Sequence, residues 1–73
     1  MTADQIKKGQ TVILESITAS PLTLNFMEMG IMPGKKLTLM RKAPLNGPMA
    51  FLIEGNIIAL RVKEAKLLNV SQN

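Results

Sequence analysis

The sequence predicts a mainly β domain, in which five short strands curl into a small closed or nearly closed barrel with one short helix inserted between the first two strands. Three observations carry this. Five runs rich in Thr, Val, Ile, Leu and Met are strand-sized and are separated by turn residues. One segment, Ser20 to Gly34, instead carries helix marks at both ends. The length of 73 residues suits one domain spanning residues 1–73. A chain this small buries only about 60% of its unfolded surface, so it needs a well-packed core. Closure of the sheet would leave few unpaired edges.

Taken in order, Met1 to Gly9 reads as a polar lead-in, with one helical turn over Asp4 to Lys8 stopped by Gly9. Gln10 to Ile17 is the first strand. Alternation sends Val12 and Leu14 inward and Thr11, Ile13 and Glu15 outward, since the second set carries a charge. In the helix, Ser20 is placed to cap the first turn and Pro21 to occupy the first helical position. Gly30 supplies the left-handed residue that ends it, which sets Phe26 against Ile31. At roughly 100° per residue, Leu22, Phe26 and Met29 form the core stripe, while Leu24 and Met27 project to the far side. Met32-Pro33-Gly34-Lys35 then reads as a type II turn.

Lys36 to Lys42 is the second strand, with Leu37 and Leu39 inward and Lys36, Thr38 and Met40 outward. Ala43 to Pro48 is a loop: its two prolines cannot donate to a ladder, and Asn46-Gly47 signals a turn. Met49 to Glu54 is the third strand, with Phe51 and Ile53 inward. Gly55-Asn56 is the expected hairpin turn, and Ile57 to Leu60 the fourth strand. Arg61 to Lys66 suits a single helical turn. Leu67 to Val70 is the fifth strand, with Leu68 and Val70 inward, and Ser71 to Asn73 is a tail.

Composition excludes whole classes of chemistry. The chain has no cysteine and no histidine, which removes disulfides, thiolates, imidazole bases and the usual zinc ligands. Asp4, Glu15, Glu28, Glu54 and Glu64 are scattered, with no pair at helical spacing, so no general acid–base pair is framed. Met27, Met29 and Met32 are soft thioethers, but placing Met29 in the core and Met27 outside keeps them apart. Gly30 and Gly34 follow the helix, at the wrong end of its dipole for an anion cradle. No catalytic residue, cofactor or metal site is expected. No apolar run approaches a membrane span, and the cysteine-free chain without a signal-like start is expected to be cytoplasmic.

The net charge is +4, from nine Lys and Arg against five Asp and Glu. A basic barrel of this size is compatible with nucleic-acid binding, but the basic residues lie in dispersed pairs. There is no Trp or Tyr, and both phenylalanines read as core, so no base-stacking platform is offered. The same lack of aromatics speaks against a groove for proline-rich peptides.

Three segments, Met29-Gly30-Ile31-Met32-Pro33-Gly34, Ala43-Pro44-Leu45-Asn46-Gly47-Pro48, and Ile58-Ala59-Leu60-Arg61 followed by Glu64-Ala65, resemble the FeoA family in order and spacing. The resemblance runs over roughly residues 4 to 70. It implies an SH3-like β-barrel with an inserted helix, and the role of a small cytoplasmic accessory of the FeoB ferrous iron transporter. The same domain occurs at the C-terminal end of some DtxR-type metal-dependent repressors. With no helix-turn-helix segment before it here, the stand-alone form is the expected one. Two positions depart from the family's usual residues: Asn25, where a basic residue is common, and Asn46-Gly47, where Gly-Asp is common. Neither bears on the fold.

These strands combine into one expectation, a non-enzymatic interaction module. Leu24 and Met27 are apolar residues at helical spacing i, i+3 with no core to fill, and Met32 and Pro33 lie on the adjoining turn. These four are the expected partner-binding residues. The resemblance supplies the partner, the cytoplasmic part of a FeoB-like transporter. Self-association through the exposed apolar pair is a second expectation.

Overall fold

The computed structural model describes residues 1–72. Five antiparallel strands form one sheet: β1 (Thr11–Ile17), β2 (Lys36–Lys42), β3 (Met49–Ile53), β4 (Asn56–Leu60) and β5 (Leu68–Gln72). A short helix, α1 (Thr23–Glu28), joins β1 to β2, and a single turn, α2 (Val62–Ala65), joins β4 to β5. The sheet order is β4-β3-β2-β1-β5. Register shifts between Leu14 and Ser16 on β1, and between Leu39 and Arg41 on β2, bend the sheet around its core. The mainly β architecture with a helix between the first two strands is the one expected.

The alternation read from the sequence fills that core. Val12, Leu14, Leu37, Leu39, Phe51, Ile53, Leu68 and Val70 are all buried, joined by Met49 and Leu60. On the outer face, the hydroxyls of Thr11 and Thr38 lie 2.7 Å apart across the β1–β2 pair.

Four local expectations are corrected, and the expected loop over 43–48 is found. The N-terminal segment is part of the fold: Ala3 and Ile6 are buried, and the helical turn lies at Ala3–Gln5. Its core residues are too few and too close for any periodicity to show. The helix begins later than Ser20. Ser20 to Thr23 forms a turn, in which Ser20 Oγ accepts from Leu22 N–H at 3.1 Å and Thr23 Oγ1 accepts from Ser20 N–H at 3.1 Å. The first α-type bond runs from Phe26 N–H to Leu22 O.

The β3–β4 hairpin turns on Glu54–Gly55, both with positive φ, so Ile53 faces Asn56 and Leu60 faces Met49. The turn at Pro44 to Gly47 centres on Leu45 and Asn46, both at φ 58, closed by Gly47 N–H donating to Pro44 O at 3.1 Å. Gly47 is needed there for space, since a Cβ would meet the Ala43 Cβ at 2.8 Å. Finally, β5 extends through Ser71 and Gln72, with Ser71 opposite Ile13. Asn73 lies outside the described residues.

Candidate protein-interaction face

The helix is fastened at its C-terminal end by a complete left-handed cap. Gly30 stands at φ +88. Ile31 N–H donates to Phe26 O at 2.9 Å, and Gly30 N–H to Met27 O at 3.0 Å. This is the Schellman pattern, and its characteristic apolar contact positions are Phe26 and Ile31, both fully buried. The chain then turns on Met32 to Lys35, closed by Lys35 N–H donating to Met32 O. Two further bonds pin that turn to β1: Gly34 N–H donates to Leu14 O at 2.7 Å, and Leu14 N–H to Lys35 O at 2.8 Å. Helix and turn are thus held by the core at Phe26 and Ile31 and by the sheet at Leu14.

What this frame presents outward includes several large apolar side chains. Leu24 is 65% exposed and Met27 45%. Met32 is half-buried and Pro33 exposed. Met29 is corrected: it is 45% exposed and not part of the core stripe. The helix ends at Glu28, so Met29 sits where the chain is already leaving helical geometry, and Ile31 takes the core place. Both thioethers, Met27 and Met29, are therefore exposed. Flexible, polarisable methionines suit a contact surface that must adapt to a partner. Leu22 is half-buried against the core.

Among the described residues no three His, Cys, Asp or Glu side chains converge to hold a metal ion, and no helix is long and apolar enough to cross a membrane. The ion pair Lys35–Glu54, at 3.0 Å, joins the turn after α1 to the β3–β4 turn.

A second apolar surface lies on the outer face of β2, β3 and β4, where Met40, Arg41, Ala50 and Ile57 line an open hollow. Met40 was expected outward, but the hollow depends on which strands are neighbours, and the sequence alone does not order them.

The FeoA domain model matches residues 1–72. No curated protein matches the chain. The structure of a FeoA protein from Chlorobium tepidum superposes with a TM-score of 0.88 at 30% identity, covering 96% of this chain and 68% of that one. Iron(II) transport protein A from Clostridium thermocellum superposes with a TM-score of 0.93 at 27% identity. It covers 99% of this chain, which spans 45% of that one. The Stenotrophomonas maltophilia FeoA complexed with zinc, described as an SH3 domain protein, superposes with a TM-score of 0.86 at 22% identity, over 97% of this chain and 89% of that one. ScaR with bound zinc shares the fold alone, at 18% identity over 37% of its length. The SH3-like fold and the match over residues 1–72 agree with the segments read from the sequence, and the chain belongs to the FeoA domain family.

Proposed function

We propose that the chain is a non-enzymatic accessory of ferrous iron transport, acting by contact with the cytoplasmic part of a FeoB-like transporter. Family membership supports the setting in iron transport. The observation that carries the contact is the pair Leu24 and Met27: large, exposed apolar side chains one helical turn apart, on a helix fixed at its end by a buried Phe26–Ile31 cap. Met32 and Pro33 lie on the adjoining turn, where Met32 is half-buried and Pro33 exposed. A rigid mounting favours binding, because little conformational freedom remains to be lost when the partner docks.

The face has the make-up of a protein contact, with large apolar side chains on a fixed frame and polar Asn25 and Glu28 between them. The reading is tested by capture of the transporter's purified cytoplasmic part on immobilised protein. The Leu24→Asp, Met27→Asp double variant should lose capture while keeping its melting curve. Capture at the wild-type level would move the contact elsewhere on the molecule.

A further inference from the structure

The two edges of the sheet, β4 and β5, are treated differently. The β5 edge is covered by the N-terminal segment: Val70 N–H donates to Met1 O at 2.8 Å, and Thr2 bridges Asn69. The β4 edge has no such cover among the described residues. The two-residue Glu54–Gly55 hairpin makes Ile53 and Asn56 a hydrogen-bonded pair, and alternation makes Phe51–Ile58 and Met49–Leu60 the next ones. Leu39 confirms the phase. Its N–H donates to Gln10 O and its carbonyl accepts from Gly9 N–H, so it faces β1 and leaves Phe51 to bond β4. The N–H and C=O of Ile57 and Ala59 therefore point to the free side of β4, and no other backbone group among the described residues reaches them.

Exposed edges are normally blocked by a charge, a proline or a bulge. Asn56-Ile57-Ile58-Ala59-Leu60 has neither charge nor proline, and its register with β3 is unbroken. Ile57 is 66% exposed.

We propose that this edge pairs with the same edge of a second copy of the chain, β4 against β4, antiparallel about a two-fold axis at Ile58. The pattern is self-complementary. Centring on Ile58 sets Ile57 opposite Ala59 and Asn56 opposite Leu60, so the whole strand is in register. The outward groups of Ile57 and Ala59 then meet as hydrogen-bonded pairs on both sides of the axis. The strand itself is uncharged, and the nearest cations are Arg41, which lines the outer hollow beside Ile57, and Arg61 just past the strand end. Just beyond the strand ends, Arg61 of each copy comes beside the Glu54–Gly55 turn of the other, setting opposite charges together twice. On the outer face, Met40, Ala50, Ile57 and Ala59 continue across both copies as a mainly apolar strip flanked by Arg41. None of these residues belongs to the α1 face, so the two surfaces are separable.

The test is sedimentation equilibrium of the full chain from micromolar to near-millimolar concentration, with three variants. Ala59→Pro removes an outward N–H that the β3 ladder does not use. Ile57→Lys places a charge on the edge at an exposed position, and serves if the proline variant fails to fold. Ile58→Cys introduces the only thiol, at a pair whose Cα atoms would stand about 4.5 Å apart, within disulfide reach. The wild type is expected to show a monomer–dimer equilibrium, weakened about tenfold or more by Ile57→Lys and by any folded Ala59→Pro. Mild oxidation of Ile58→Cys should give a disulfide-linked dimer, and of Leu24→Cys should not. A wild type that stays monomeric throughout overturns the proposal. So does a dimer that Ile57→Lys leaves intact, including one broken only by Leu24→Asp.

Discussion

Lys35 Nζ lies 3.0 Å from Glu54 Oε1, and Glu54 holds this ion pair from a left-handed backbone at φ 52. The two effects oppose each other. The side chains are 35% and 58% exposed, and an ion pair so open contributes about 0–1 kcal/mol. The left-handed conformation costs a residue with a Cβ roughly 1–2 kcal/mol, and asparagine tolerates it better. Glu54→Asn also creates Asn-Gly, the favoured pair for such a hairpin. The substitution is expected to raise the melting temperature, followed by circular dichroism. A lower melting temperature would mean that the ion pair outweighs the strain.

Gly30 is a case of backbone conformation alone. It stands at φ +88, and a Cβ there would meet nothing within 4 Å. Gly30→Val is expected to destabilise the fold by about 1–2 kcal/mol or somewhat more, through the left-handed cap and not through a clash. For a domain of this size each kcal/mol lowers the melting temperature by about 4–8 °C. Urea unfolding of the two proteins measures the difference, and equal midpoints would mean that the left-handed cap contributes nothing to stability.

Phe26 and Leu24 are two positions apart on α1 and should respond very differently to truncation. Phe26 is fully buried, and Phe26→Ala is expected to cost about 3–5 kcal/mol. Total stability at about 0.05–0.15 kcal/mol per residue is only a few times that at most, so this variant should be largely unfolded on warming. Leu24→Ala, at an exposed position, should stay within about 0.5 kcal/mol of wild type. Chemical denaturation of the pair checks that the helix has one structural face and one free face.

The 43–48 loop offers two substitutions with opposite signs. Leu45 is 98% exposed at φ 58, so Leu45→Asn should stabilise by up to about 1 kcal/mol. Gly47→Ala should destabilise, because its Cβ would fall 2.8 Å from the Ala43 Cβ and 3.1 Å from the Pro44 carbonyl oxygen. Thermal melts of the two variants should bracket the wild type.

The inward faces of the strands were legible because alternation is local: Val12 and Leu14, Leu37 and Leu39, Phe51 and Ile53, Leu68 and Val70 declare themselves by their neighbours. The Gly30 cap was legible because its geometry needs a particular residue type. The Glu54–Gly55 turn was not, since nothing marks a glutamate for a left-handed backbone. Ala3 and Ile6 were missed because two apolar residues in a polar segment have no period. Met29 was misplaced because a 100° projection assumes a longer helix than the chain makes. The free β4 edge depends on strand order, a non-local property that alternation does not carry.

Leu24 and Met27 are proposed as the contact with the transporter. Isothermal titration of the transporter's cytoplasmic part into wild type and into the Leu24→Asp, Met27→Asp variant decides this. Burying two carboxylates in an apolar contact should weaken binding by about 100-fold or more, equivalent to roughly 3 kcal/mol, with the melting temperatures alike. Equal affinity for the two folded proteins would place the contact on another surface.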